Sequence, residues 1–242
     1  MWRAPTDAKK PWVLFDINNT LLEREYLGPG QRRYHVRPGI SRLLELRGKY
    51  HLGIYSSVSE RNARYCVEAI SDAIGDELDV LAAGGSPVVA WPSALFEVVL
   101  AQRHCVPDSP ERIAARGGDE WDVLKPLQPY FPDLGSVVLV EESEHKSLEA
   151  ERSNLLLVPA WHAGEKEQAP DTVLPRLVKL LSDLASSVAA GEQPADMRCH
   201  AARISTDIMG ARVKADEEER EESKVTKTQV NETAEELGEE SA

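Results

Sequence analysis

Aromatic residues make up only 6% of these 242 residues, with three Phe among them. Cysteine is equally scarce: Cys66, Cys105 and Cys199 are the only three, and no CxxC pair occurs. That excludes a disulfide scaffold or a structural zinc site and suits a reducing compartment. No apolar run reaches the roughly 18–20 residues that a membrane helix needs. There is no apolar leader segment, and the first strand-like run already begins near residue 11, so a cytoplasmic or nuclear setting is expected. A mitochondrial one stays open if a transit peptide has been removed. Basic charge is short as well. The net charge is −13, of which residues 215–242, with eleven Asp/Glu and three Lys/Arg, carry −8. A body at −5 lacks the basic face of a direct nucleic-acid binder.

What the chain does have is an alternation of strand-like and helix-like segments. Trp12-Val13-Leu14-Phe15 is a short apolar run of the kind buried on both faces. Arg37-Pro38-Gly39 opens a predicted helix from Ile40 to about Gly48, with Pro in its first turn. His51 to Tyr55 reads as the next strand, and Ser59 can cap a helix from about Glu60 to Ile74 that buries Ala63, Val67 and Ile70. Val137 to Val140 and Asn154 to Pro159 read as two more strands. A helix from about Asp171 to Ala189 follows, with Val173, Leu174, Leu177, Val178, Leu181 and Leu184 on one stripe. Strands separated by helical crossovers predict an α/β fold, a doubly wound parallel sheet with helices on both faces.

The expected organisation is an N-terminal extension at 1–10, one domain at 11–190, a C-terminal extension at 191–213 and an acidic disordered tail at 214–242. Residues 79–120, rich in Gly and Pro, read as an inserted specificity element with short strands or a helix of its own. Trp91 and Phe96 are its candidates for lining a groove or a small core.

In such a sheet the carboxyl edge carries the chemistry. Here that edge would present Asp16, Ser56 and Glu141 together, each at the end of a predicted strand. Taken singly each is ordinary. An Asp after a strand caps a turn, a Ser caps a helix, and Lys125 or Glu142 sits in solvent in most proteins. Arg37 reads as a structural residue tying its turn to nearby carboxylates, Tyr55 as core, and His35 as a turn residue.

Phe15-Asp16-Ile17-Asn18-Asn19-Thr20-Leu21 resembles the first motif of the haloacid-dehalogenase-like (HAD) phosphotransferases. Val36-Arg37-Pro38-Gly39, Lys125-Pro126-Leu127, Asp133-Leu134 and the Val137 strand ending at Glu141-Glu142 narrow the likeness. Together they resemble the FCP/SCP type, the group of the NLI-interacting-factor-like and CTD-phosphatase-like domains, over about residues 11–190. The resemblance implies that Asp16 is the nucleophile and that Ser56 and Lys125 bind phosphoryl oxygens. It further implies that Asp16, the Asn18 carbonyl, Glu141 and Glu142 hold Mg²⁺. The expected partner is a phosphoprotein substrate or another protein, within a larger assembly.

Three departures bear on activity. Tyr-Ser-Ser at 55–57 is conservative. Glu141-Glu142 stands where an Asp-led pair is usual and carries the ligand oxygen about one methylene further, against the exacting octahedral geometry of Mg²⁺. Asn18 occupies the position of the family's general acid/base aspartate, and an amide cannot protonate a leaving alkoxide. Loss of a positioned acid costs about 10²–10⁴-fold in rate, or about 3–5.5 kcal/mol of barrier. The expected function is therefore a phosphatase-type domain, weakened or inactive, that serves as a binding or scaffold component. The alternative is an active Mg²⁺-dependent phosphoserine/threonine phosphatase working through an aspartyl-phosphate.

Overall fold

A computed structural model describes residues 3–4, 10–83, 95–118, 122–164 and 171–211. Five parallel strands form the central sheet: β1 (Trp12–Phe15), β4 (His51–Tyr55), β5 (Val98–Leu100), β8 (Val137–Glu141) and β9 (Leu155–Leu157). Their order is β5-β4-β1-β8-β9, so the first strand made is the central one. β1 pairs with β4 from Trp12↔His51 to Phe15↔Ile54 and with β8 from Trp12↔Val137 to Phe15↔Val140. An antiparallel hairpin, β2 (Leu22–Gly28) with β3 (Gln31–Val36), rises from the carboxyl end of β1. A two-residue ladder joins β6 (Val106–Pro107) to β7 (Val123–Leu124), with α2 (Pro110–Arg116) between them.

Side chains of β1 alternate between two cores, as a strand requires. Val13 and Phe15 enter a core built from α1 (Glu60–Ala83), α3 (Val173–Ala189) and a helix over residues 198–211, α4. Trp12 and Leu14 enter a second core that Leu127, Tyr130, Phe131 and Ala4 close from the other face. On that second face the β8-to-β9 crossover is made of 3-10 turns, Glu144–Lys146 and Glu149–Asn154. Buried Glu151 anchors it by accepting hydrogen bonds from the backbone amides of Leu127 and Gln128. Gly53 shows how tightly the sheet is packed: a Cβ there would meet Val98 Cγ1 at 2.6 Å and Leu14 Cδ2 at 2.8 Å.

Several elements differ from the sequence expectation. The segment after Arg37-Pro38-Gly39 is a 3-10 helix, Ile40–Leu46. Both carboxylate oxygens of Glu77 fix its start by accepting from the amides of Gly39 and Ser41. Gly39 sits at φ 77°, a left-handed conformation that favours glycine. α1 runs past Ile74 to Ala83. Part of the segment expected as an insertion, β5, belongs to the central sheet, while β6, α2 and β7 form a small unit of their own. α4 lies where the pattern was read as decaying. Met197 just before it and its Ala201, Ile204 and Ile208 are buried at helical spacing among polar neighbours that dilute the signal. Trp91 and the acidic tail, 214–242, lie outside the described residues. No helix among the described residues is long and apolar enough to cross a membrane.

Candidate active site

The turn after β1 is built almost entirely from its own backbone. Ile17 C=O accepts from the amides of Thr20, Leu21 and Leu22, and Asn19 N–H returns to Leu22 C=O. Asn19 takes φ 55°, a left-handed value that asparagine tolerates. This tight loop turns the chain back into β2 and leaves Asp16 buried at the sheet's carboxyl edge. Asp16 N–H is still part of the ladder, donating to Val140 C=O at 2.9 Å.

Register brings the other residues to the same level. Because Phe15 faces Val140, Asp16 lies beside Glu141; because Phe15 faces Ile54, Ser56 closes the neighbouring strand one residue beyond it. Lys125, just after β7, is fully buried and bridges the two acids. Its Nζ donates to Asp16 Oδ1 at 2.6 Å and also to Glu141 Oε2. Carboxylate oxygens of Asp16, Glu141 and Glu142 all lie within 4.8 Å of one another. Thr20 Oγ1 adds a 3.3 Å hydrogen bond to Glu142. The sequence had placed Asp16, Lys125, Glu141 and Glu142 together, and the fold juxtaposes them.

Electrostatically the cluster is out of balance: one ammonium serves two buried carboxyls. Burial pushes the Asp16 carboxyl up, and Glu141 adds to this while Lys125 opposes it. Burial likewise pushes Glu141 up, to about 8, against the pull of Lys125. Burial disfavours the charge on Lys125, but Asp16 and Glu141 outweigh it and hold the ammonium above its ordinary range. Seven buried side-chain polar atoms lack a hydrogen-bond partner among the described residues, and three of them, Ser56 Oγ, Asn18 Oδ1 and Glu141 Oε1, lie at this edge. Buried polar groups are seldom left unpaired, and three at one sheet edge mark a place built for something else to bind.

Two further residues shape the pocket. Arg37, 1% exposed, donates from Nε to Asp171 Oδ2 at 2.7 Å and from Nη1 to Thr20 C=O at 3.1 Å. Asp171 in turn accepts from Val173 N–H and so starts α3. The structural reading of Arg37 is what the structure shows. Thr20 was not singled out from sequence beyond its place in the first motif, yet it links that loop to Glu142 and Arg37. His35 is turned away: its ring pairs with Glu25 on the open face of the hairpin, at 2.9 Å. Cys105 Sγ lies 3.7 Å from Ser56 C=O, and burial pushes its thiol up to about 11. A cleft of about 550 Å³ opens at the opposite, amino edge of the sheet, among Lys10, Tyr50, Asp133, Leu184 and Met197. None of the candidate residues lines it.

The chain is similar to two solved structures of an RNA polymerase II CTD phosphatase. One is an arginine variant of fission yeast Fcp1 bound to beryllium fluoride, with 15% identity and a TM-score of 0.49, covering 80% of this chain and 70% of that one. The other is Fcp1, described as an essential RNA polymerase II CTD phosphatase, with 14% identity, a TM-score of 0.47 and the same coverage. No protein-family model matches the chain, and neither does any curated protein.

Proposed function

We propose that this chain is a phosphatase-type domain of the FCP/SCP kind that binds a phosphoserine/threonine protein segment at Asp16 and turns it over weakly or not at all. The observation that carries this reading is the pairing of Asp16 with Lys125 beside three orphaned polar atoms, with Asn18 where an acid would be needed. Ser56 Oγ and Lys125 are the donors for phosphoryl oxygens, and Asp16 Oδ2 is the oxygen left to face phosphorus. Asn18 carries no proton for a leaving alkoxide, and His35, locked to Glu25 outside the pocket, does not replace it. A protein that holds the phosphoryl group but stalls at leaving-group departure acts as a phosphoprotein-binding module, alone or within a larger assembly.

Mg²⁺ fits the residues present. The ligand set is all oxygen, which suits a hard cation. Glu141 Oε1 lacks any other partner, and the three carboxylates are close enough to share one ion. Asp16, Glu141, Glu142 and the Asn18 carbonyl would hold it, and it would supply charge neutralisation for the phosphoryl oxygens.

A second reading rests on the retained nucleophile. Asp16 Oδ2 attacks phosphorus, the bond to the leaving oxygen breaks, and water supplies the proton that Asn18 cannot. Aryl phosphates, whose phenolate leaves without protonation, suffer least from this defect. Hydrolysis of p-nitrophenyl phosphate with Mg²⁺ separates the readings, using wild type and Asp16→Asn. Activity in wild type that vanishes in Asp16→Asn establishes the enzyme. Silence of wild type, together with phosphopeptide binding that Ser56→Ala weakens, establishes the binding module. If neither turnover nor phosphopeptide binding is found, both readings are wrong.

A further inference from the structure

The β2–β3 hairpin was not anticipated from the sequence, and its two faces differ in charge. Register sets Leu22 opposite Val36, Arg24 opposite Tyr34 and Tyr26 opposite Arg32, so these six share one face. Leu22 is in the core, and Tyr34 and Val36 pack against it, which makes this the inward face. The outward face is neutralised within itself: Glu25 accepts from Arg33 at 3.3 Å and pairs with His35. The inward face has two cations and no acid. Arg32 Nη1 reaches across to Asn62 Oδ1 of α1 at 2.8 Å, a neutral partner that leaves its charge unmatched. Arg24, half-buried, has no hydrogen bond or ion pair among the described residues. In a body that carries a net negative charge, an arginine so placed is available to a ligand.

Its position relative to the pocket follows from the strand. Asn18 and Leu22 form a β-bridge at the base of the hairpin, and Arg24 lies two residues further, about 7 Å along at strand rise. The buried Cys66 thiol of α1, raised mainly by burial, is lowered by the charges of Arg24 and Arg32 and raised by that of Asp16. Both arginines and the candidate nucleophile therefore lie within electrostatic range of Cys66, and Arg32 touches the same helix at Asn62. An extended peptide with its phosphoryl group at Asp16 sets a side chain about two or three residues away at the same separation.

We propose that Arg24 and Arg32 form an anion subsite on the inward face of the hairpin, which takes a second phosphate or carboxylate of the phosphorylated segment held at Asp16. This rests on the phosphoprotein-binding reading above. Guanidinium groups suit the role because they offer forked, permanently charged donors to an oxyanion. The subsite would select segments that are multiply phosphorylated, or acidic near the phosphoserine.

The test measures binding of short phosphoserine peptides to the full chain by fluorescence anisotropy. Three forms are compared: one phosphoserine alone, a second phosphoserine two or three residues away on either side, and a glutamate in its place. Variants are Arg24→Gln, Arg32→Gln, Arg24→Lys and Ser56→Ala. The doubly phosphorylated peptide is expected to bind at least about tenfold more tightly than the single one, with the glutamate peptide between them. Arg24→Gln and Arg32→Gln should erase that preference while leaving the singly phosphorylated peptide unaffected, and Arg24→Lys should restore part of it. If the preference is absent, or survives both Gln variants while Ser56→Ala abolishes single-site binding, the subsite is refuted and the pocket stands. If Ser56→Ala leaves single-site binding unchanged, the pocket reading fails and takes the subsite with it.

Discussion

Two buried ionic clusters lie within one loop of each other and obey opposite rules. Arg37 and Asp171 are matched one to one, and each makes a further hydrogen bond to backbone, Arg37 to Thr20 C=O and Asp171 to Val173 N–H. Lys125 faces two acids, leaves Glu141 Oε1 without a partner, and sits beside an orphaned Ser56 hydroxyl. The first cluster is self-sufficient and locks the loop after β1 to α3. The second is incomplete as it stands, and burying unsatisfied groups costs free energy. The difference separates a self-contained ion pair from an unsatisfied one more sharply than burial or residue type does.

The largest effect should come from completing the second cluster chemically. If Asn18 is the missing acid, Asn18→Asp raises the rate on an alkyl phosphomonoester by about 10²–10⁴-fold, equivalent to about 3–5.5 kcal/mol. Steady-state release of inorganic phosphate reads it, and an unchanged rate would show that the defect lies elsewhere. Breaking the first cluster should cost stability and not chemistry alone. Arg37→Ala leaves Asp171 buried and unpaired and should lower the unfolding free energy by about 3–5 kcal/mol in urea. A loss below about 1 kcal/mol would deny the pair its locking role.

Mg²⁺ should act on one cluster only. With the ion at about 100 times its dissociation constant, thermal denaturation should show about 2.7 kcal/mol of stabilisation, retained in a Ser56→Ala control and lost in Glu141→Gln. No response in wild type would refute the proposed ligand set. Smallest is the effect of charge excess itself. An unfolded Glu141 carboxyl ionises near its ordinary 4.5, whereas the folded one holds its proton to about 8. Between those values the folded state alone keeps the proton, so in EDTA stability should fall as the pH rises through that window. Glu141→Gln should flatten the fall and be more stable at pH 8 by about 0.5–2 kcal/mol. A steeper fall in the variant would contradict this account.

Much of this arrangement was legible in the residues. Trp12 to Phe15 and Val137 to Val140 are continuous apolar runs with a carboxylate behind them, and a parallel sheet has only one edge where such ends converge. Asp16, Ser56 and Glu141 were therefore placed together without coordinates, whereas Lys125 joined them only through the family resemblance. The hairpin was not seen, because Leu22 to Val36 carries consecutive charges, Glu23-Arg24-Glu25 and Arg32-Arg33, that break any strand alternation and offer little hydrophobicity; Pro29-Gly30 was a turn signal. The unequal charge of its two faces depends on register, which one residue of slip would reverse. The contrast between the two ionic clusters was beyond reach for a related reason: which carboxylate meets which cation is fixed by packing and not by spacing.

The place of β1 at the centre of the sheet has a consequence for how the protein is made. Trp12 pairs on one side with His51 and on the other with Val137. As the chain leaves the ribosome, β4 can cover one edge of this apolar strand early, but the other stays open until β8 has been synthesised. Between the synthesis of β1 and that of β8 the nascent chain carries an unpaired hydrophobic edge, the kind that recruits other chains. A product that stops before β8 would lack Glu141 and Glu142 and leave that edge open permanently. It would be more prone to aggregate than to persist as a competing phosphoprotein binder.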